Sequence, residues 1–198
     1  METIRGKVSR EITFDELTER LAKYNEVSID LGAGDGRFVL RMAEQHKDTF
    51  FIGIDSCREN LRVNSRTKLP NALFVIASAQ ALPCELNGVA SHVSINFPWG
   101  SLIESLLNDD ACLLNGILRV TRPRATMEIH FNADALATAG WDLHRGADQI
   151  EGTLNAAGWQ TASRSDLDAD ALRAIPTTWA KRLAFGRDPR AVRLCFQK

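Results

Sequence analysis

One junction constrains this chain more than any other. Val27-Ser28-Ile29-Asp30-Leu31 runs straight into Gly32-Ala33-Gly34-Asp35-Gly36-Arg37, and a segment of helical spacing follows to Gln45. A short apolar run that ends in glycines reads as a buried strand entering a tight turn. The rhythm returns along the chain, with strands expected at 50–54, 73–77, 92–97 and 125–131 and helices near 58–68, 103–107 and 110–119. Residues 147–157 read as a helix stopped by Gly158, and 159–164 and 191–196 as closing strands. Ahead of the junction, residues 4–12 suit a hairpin, and Thr13-Phe14-Asp15-Glu16 is a capping box for a helix running to about Tyr24. Residues 132–146 read as polar and irregular. Strands alternating with helices predict an α/β fold, a mainly parallel seven-stranded sheet with helices on both faces and an N-terminal hairpin extension.

Length and composition narrow the field further. A chain of 198 residues suits one domain, divided here into the hairpin 1–12, a core 25–131 and a C-terminal part 132–198. Its four cysteines show no CxxC or nearby histidine at ligand spacing, so no metal site and no disulfide framework is expected, which suits a cytoplasmic protein. No stretch reaches the apolar length of a membrane span, and no membrane partner is expected. The net charge is −1, yet residues 1–10 carry +2, residues 56–70 carry +3 and residues 176–198 carry +5. Segregation of this kind suits a one-sided phosphate-binding surface, although a solvated basic face has the same composition.

In a sheet of this type the ligand crevice lies at the carboxyl ends of the strands. The glycines there allow close backbone approach, which dinucleotide binders also use. Two acids favour S-adenosylmethionine instead. Asp30 would repel a pyrophosphate but suits the ammonium of the methionine moiety, and Asp55 at the tip of the second strand can accept bonds from ribose hydroxyls. Ser78-Ala79-Gln80 should line an adenine pocket, with the Gln80 amide at its edge. The fourth strand ends in Asn96-Phe97-Pro98-Trp99-Gly100-Ser101, where Trp99 suits either stacking on a target base or a place in the core or a lid.

The motifs DLGAGDGR, FIGID, FVIASAQALP, FPWGSL and TTWAKRLAFGR (residues 177–187) together resemble the Kam/Npm family of aminoglycoside-resistance methyltransferases, over nearly the whole chain. The resemblance implies a class I, Rossmann-like, S-adenosylmethionine-dependent enzyme, a monomer that methylates N1 of adenine 1408 of 16S rRNA in the assembled 30S subunit. It places Asp30, Gly32, Gly34, Asp55, Ala79, Gln80, Asn96, Trp99, Ser101 and Thr177 at the cofactor. Trp99 and Trp179 would sandwich the flipped adenine with Thr177 beside it. Arg66, Lys68, Arg182, Arg187 and Arg190 would grip RNA phosphates, the last three from a linker at 176–190. Two positions depart from the family pattern. Gln80 stands where glutamate is frequent, and Asn96 makes the turn resemble the [N/D]-P-P-[Y/F/W] motif of amino-group methyltransferases. The competing readings are a methyltransferase for adenine N6 or a tRNA guanine, a nucleotide-dependent oxidoreductase, and a non-catalytic RNA-binding module. Glu128 and the four histidines are expected to be structural, and no general base is expected, because N1 of neutral adenine already carries a lone pair.

Overall fold

The computed structural model describes residues 1–186 and 188–198. The chain opens with a hairpin of β1 (Glu2–Arg5) and β2 (Val8–Glu11), followed by α1 (Phe14–Leu21). The capping box at Thr13 is formed in both directions, its side chain accepting from the Glu16 amide while the Glu16 carboxylate accepts from the Thr13 amide. Then come β3 (Glu26–Leu31), α2 (Arg37–Gln45), β4 (Thr49–Asp55), α3 (Arg58–Leu61), β5 (Ala72–Ile76) and β6 (Ala90–Asn96). Helices α4 (Ser101–Leu107) and α5 (Ala111–Val120) precede the long strand β7 (Thr121–Asn132). The chain closes with α6 (Ala133–Thr138), α7 (Leu143–Ala156), β8 (Gln160–Leu167), α8 (Ala169–Ala174), α9 (Thr178–Ala184) and β9 (Ala191–Gln197).

These strands form one sheet in the order β2-β1-β5-β4-β3-β6-β7-β9-β8. The five strands from β5 to β7 are parallel, and β9 runs antiparallel between β7 and β8. The seven expected strands are therefore present, but the hairpin does not stand apart. It joins the edge of β5 antiparallel, giving a mixed sheet of nine strands among the described residues. An unpaired β5 edge would expose a row of backbone donors and acceptors, and the hairpin covers it. The strand order reverses between β3 and β6, so the ligand crevice of the fold opens beyond Leu31 and Asn96.

Alternate residues of the central strands separate the two faces. Phe50, Ile52 and Ile54 of β4 join a large core with Ile29 of β3, Val93 and Ile95 of β6, and residues of α1, α4, α5 and α7. Phe51 belongs instead to a smaller cluster with Val39, Leu40 and Ala43 of α2. A third, satellite cluster joins Phe97 to Leu172, Ala180, Leu183 and Ala191, and it seats α8 and α9 on the sheet end.

Two expectations from sequence need correction. Residues 132–146 are not irregular, since α6 and the first turn of α7 lie there. Asp142 caps α7 by accepting from the amides of His144 and Arg145, and the buried face runs Leu143, Ala147, Ile150, Leu154 at helical spacing. The expected helix at 58–68 stops at Leu61 and resumes only as a 3-10 turn, Asn64–Arg66. Asn64 donates to the Asp35 carbonyl (2.6 Å) and the Ser65 hydroxyl accepts from the Gly6 amide (2.9 Å), so the segment is held between the glycine turn and the hairpin. No described helix is long and apolar enough to cross a membrane.

Candidate active site

At the carboxyl ends of β3, β4, β5 and β6 lies a cavity of about 570 Å3, within the ~300–1,000 Å3 typical of small-molecule sites. Its rim is built from the glycine turn. The amides of Gly32 and Ala33 both donate to the Ile54 carbonyl at 2.9 Å, which folds the turn back over β4. Gly32 has φ +72°, a conformation that requires glycine, and a Cβ there would also press on the end of the Leu102 side chain at 2.7 Å. Gly34 has φ +54° with open space where a Cβ would stand, leaving the cavity clear beside it.

Asp30 is the deepest charge in the cavity, 3% exposed. Ser94 donates to its Oδ1 at 2.7 Å and Asn96 Nδ2 donates to the same oxygen at 2.9 Å. Burial pushes its carboxyl up to about 7, the nearby Asp55 charge adds to the rise, and the two hydrogen bonds oppose it. A buried carboxylate without a cation is an unsatisfied charge, and it faces the cavity. Asp55 accepts from the amides of Gly34 and Cys57, each at 2.8 Å, and from Asn60 Nδ2 at 3.4 Å, so it ties the glycine turn to the tip of β4. Gln80 lines the same cavity beside Ala79, but its amide is engaged by protein. Nε2 donates to Ser105 Oγ (2.9 Å) and the Ser101 carbonyl (3.3 Å), and Oε1 accepts from Ser78.

The turn after β6 is strained. Phe97 has φ +53°, a region sparsely used by non-glycine residues, and Gly100 has φ +54°. Two contacts hold Phe97 there, its amide donating to the His130 carbonyl (2.9 Å) and its ring, 2% exposed, entering the satellite cluster. Pro98 stays buried at the cavity wall while Trp99 is turned outward, and Ser101 begins α4.

Trp179 comes to the same place from the far end of the chain. Thr177 caps α9 by accepting from the Ala180 amide (2.9 Å), and Thr178 donates from Oγ1 to Asp35 Oδ2 of the glycine turn (2.7 Å). The two indoles stack on each other with centroids 5.7 Å apart and planes 28° apart. They are 38% and 41% exposed, which removes the core alternative for both. Above them the Arg182 guanidinium lies 5.4 Å from the Trp179 ring centroid, a cation–π contact at the cavity mouth.

Of the remaining expected phosphate-binding residues, Arg66, Lys68 and Arg190 do not line this cavity. Arg66 and Lys68 line a separate groove of about 1020 Å3 under the hairpin, with Arg5, Arg10 and Arg20. Arg190 is clamped by Asp188, which accepts from its Nε (2.9 Å) and Nη2 (2.7 Å), so the charge of this one arginine is paired. Arg187 lies outside the described residues. Among the described residues no three His, Cys, Asp or Glu side chains stand close enough to hold a metal ion. Sequence reasoning missed Asp35, Thr178, Ser94 and His130. The last two carried a signal, because 92–96 and 128–132 alternate polar and apolar residues, the pattern of a sheet with one polar face.

The model of the NpmA family, 16S rRNA (adenine(1408)-N(1))-methyltransferase, matches residues 2–197. The chain belongs to this family. A 16S rRNA (adenine(1408)-N(1))-methyltransferase of Escherichia coli is 33% identical over 202 residues, covering 93% of this chain and 92% of the relative. The crystal structure of the aminoglycoside resistance methyltransferase NpmB1 superposes with a TM-score of 0.81 at 37% identity, over 99% of this chain and 98% of the other. That of the antibiotic-resistance methyltransferase Kmr gives 0.80 at 33% identity, over 100% and 98%.

Proposed function

We propose that this protein transfers a methyl group from S-adenosylmethionine to N1 of adenine 1408 of 16S rRNA, acting on the assembled 30S subunit and protecting it from aminoglycosides. The observation that carries the reading is the pair of exposed tryptophans, Trp99 and Trp179, over a cavity whose floor is the buried carboxylate of Asp30. The residues present suit this cofactor. Asp30 would hold its ammonium group, Asp55 its ribose hydroxyls, and the turns at Gly32–Gly34 and Ala79–Gln80 the rest, with Asn96, Ser101 and Thr177 closing the cavity. When bound, S-adenosylmethionine supplies a methyl group activated by a sulfonium.

The protein's own task is to present a base. A nucleotide within a folded RNA leaves its stack at a cost of a few kcal/mol, and an aromatic side chain returns roughly 1–3 kcal/mol per stacked base. Trp99 stands on a turn fixed to β6 and Trp179 on a short helix tied to the glycine turn, so a base held between them stays in register with the cofactor cavity. N1 of neutral adenine needs no proton removed, and placing its lone pair in line is sufficient chemistry. Asn96 is bonded to Asp30 through Nδ2 and to His130 through Oδ1, so its amide is oriented by the protein. Arg66, Lys68, Arg182, Arg187 and Arg190 are proposed to grip RNA phosphates, from segments far apart in sequence that only a folded RNA surface meets together. Reverse transcription of 16S RNA from cells expressing the protein tests the reading. A methyl on N1 blocks Watson–Crick pairing and halts the polymerase beside position 1408, and full-length products would sink the assignment.

A further inference from the structure

The polar face of β6 and β7 ends in a residue the mechanism above does not use. His130 is 3% exposed and pairs in register with Asn96 across the two strands. Its Nδ1 lies 2.9 Å from Asn96 Oδ1, and the other end of that amide reaches Asp30. Its ring stacks on Phe97, centroids 5.7 Å apart and planes 22° apart, and its carbonyl accepts the Phe97 amide. One side chain thus stands behind both halves of the site, the buried carboxylate and the turn that presents Trp99.

We infer that His130 is a positioning residue for cofactor binding, acting through Asn96 on Asp30. The inference rests on the methyl-transfer reading above. An ionised carboxylate only accepts, so Asn96 must turn Nδ2 toward it, and Oδ1 then faces His130 and needs a donor. That donor is Nδ1–H. Burial holds the imidazole down to about 4, with Arg193 opposing and Glu128 favouring its charge, so at neutral pH the ring has one proton and Nε2 is bare. Nε2 lies 3.3 Å from Glu128 Oε1, an acceptor facing an acceptor, so Glu128 draws toward the opposite tautomer and the ionised Asp30 must outweigh it. The Glu128 carboxylate also meets the Cys195 thiol (3.6 Å) and faces Arg193 (3.9 Å). Protonation of Asp30 on Oδ1, the oxygen that faces Asn96, would reverse the chain. The Asp30 hydroxyl donates to Asn96 Oδ1, Nδ2 turns to Nδ1 of His130, and the ring proton moves to Nε2 to face Glu128. Occupation of the cavity by a cationic amino group, which requires ionised Asp30, therefore selects one amide orientation and one tautomer. The polar residue at position 96 has its partner in His130.

S-adenosylhomocysteine, which keeps the amino acid and the nucleoside, is the probe. In calorimetry at pH 7.5, His130→Phe, which keeps a ring against Phe97 but has no donor, should bind it about five- to tenfold more weakly, the worth of one neutral hydrogen bond. His130→Gln should recover most of the loss. In an Asn96→Leu background the same two substitutions should have no further effect, as expected of residues acting in series. The nitrogen-15 spectrum of the complex should show His130 protonated at Nδ1. Equal affinity in folded His130→Phe, additive effects with Asn96→Leu, or protonation at Nε2 in the complex would each overturn the inference. His130→Met takes the place of the phenylalanine variant if that one does not fold. Absence of binding by the unaltered protein is a different result, one that removes the proposed function itself.

Discussion

The two walls of the site are held by different means. The cofactor wall is made of strand ends inside the parallel sheet, where Asp30 and Asp55 sit at tips flanked by paired strands and backed by the main core. The base wall on the Trp179 side is a seven-residue helix between α8 and β9, seated on a cluster of five buried residues and tied forward by the Thr178–Asp35 hydrogen bond. Local stability follows buried contact, so the first wall should open only when the protein unfolds and the second should open by itself. The division suits the task, since a small cofactor needs a fixed mould and an RNA base needs an entrance.

The largest effects should expose that division. Ile29→Ala in β3 should lower global stability by about 2–5 kcal/mol. Leu172→Ala, fully buried in the satellite cluster, should instead raise amide exchange in α8 and α9 with a smaller change in the melting temperature. Equal melting losses, with no local rise in exchange, would mean the two walls are one cooperative unit. Next comes the base slot. Trp99→Ala and Trp179→Ala should each reduce methyl transfer by roughly 1–3 kcal/mol, about fivefold to 150-fold, while 30S binding and melting stay near those of the unaltered protein. Phenylalanine at either position should retain more activity than alanine. A loss of several kcal/mol of stability in Trp179→Ala would place that ring in the core after all.

Asp30 gives a pH test of the rigid wall. Its folded-state value, about 7, lies above the usual carboxylate value of 3.8, so the stability it contributes is present below pH 4 and lost as pH rises through 7. A cationic ligand has the opposite preference and binds the ionised form. Affinity for S-adenosylhomocysteine should climb up to tenfold per unit between pH 5.5 and 7, then level off, and Asp30→Asn should weaken binding and abolish the slope. A flat profile in the unaltered protein would detach Asp30 from the ligand. The smallest effect should come from the tie between the walls. Thr178→Val removes one hydrogen bond to a carboxylate, worth roughly 1.5–3 kcal/mol when well formed and less at this partly exposed site. It should change tryptophan fluorescence and raise the KM for 30S with little change in cofactor affinity. Unchanged fluorescence would show that the tie does not set the pose of Trp179.

Much of this was legible in the sequence because the signals were local. The glycine turn, the capping box at Thr13 and the apolar strands announce themselves within a few residues, and each is where the sequence places it. The helix at 143–156 was also written locally, but its start is crowded with Trp141, Asp142, His144 and Arg145, and the cap at Asp142 was outweighed by that polarity. What could not be read were links between distant positions. Thr178 meets Asp35 across 143 residues and Asn64 meets the Asp35 carbonyl across 29. The pairing of Asn96 with His130 depends on the register of β6 on β7, which no motif records. The charge count at 176–198 gives a sum without positions, so it could not show that Arg190 lies against Asp188.

The stacked tryptophans change how the energetics of base capture are counted. With the slot closed on itself, neither indole presents its inner face to solvent, so there is little ordered water there to expel. Capture is an exchange, in which one indole–indole contact is given up for two indole–base contacts. The net return is that of roughly one stacked interface, about 1–3 kcal/mol, rather than two. That is close to the few kcal/mol needed to unstack a nucleotide, so capture runs near balance. A base that enters the slot without the surrounding RNA gripped by the basic rim should fall out again. Selectivity for one adenine then resides largely in the grip, and the slot serves as a checkpoint that any purine could pass but only a docked one could hold.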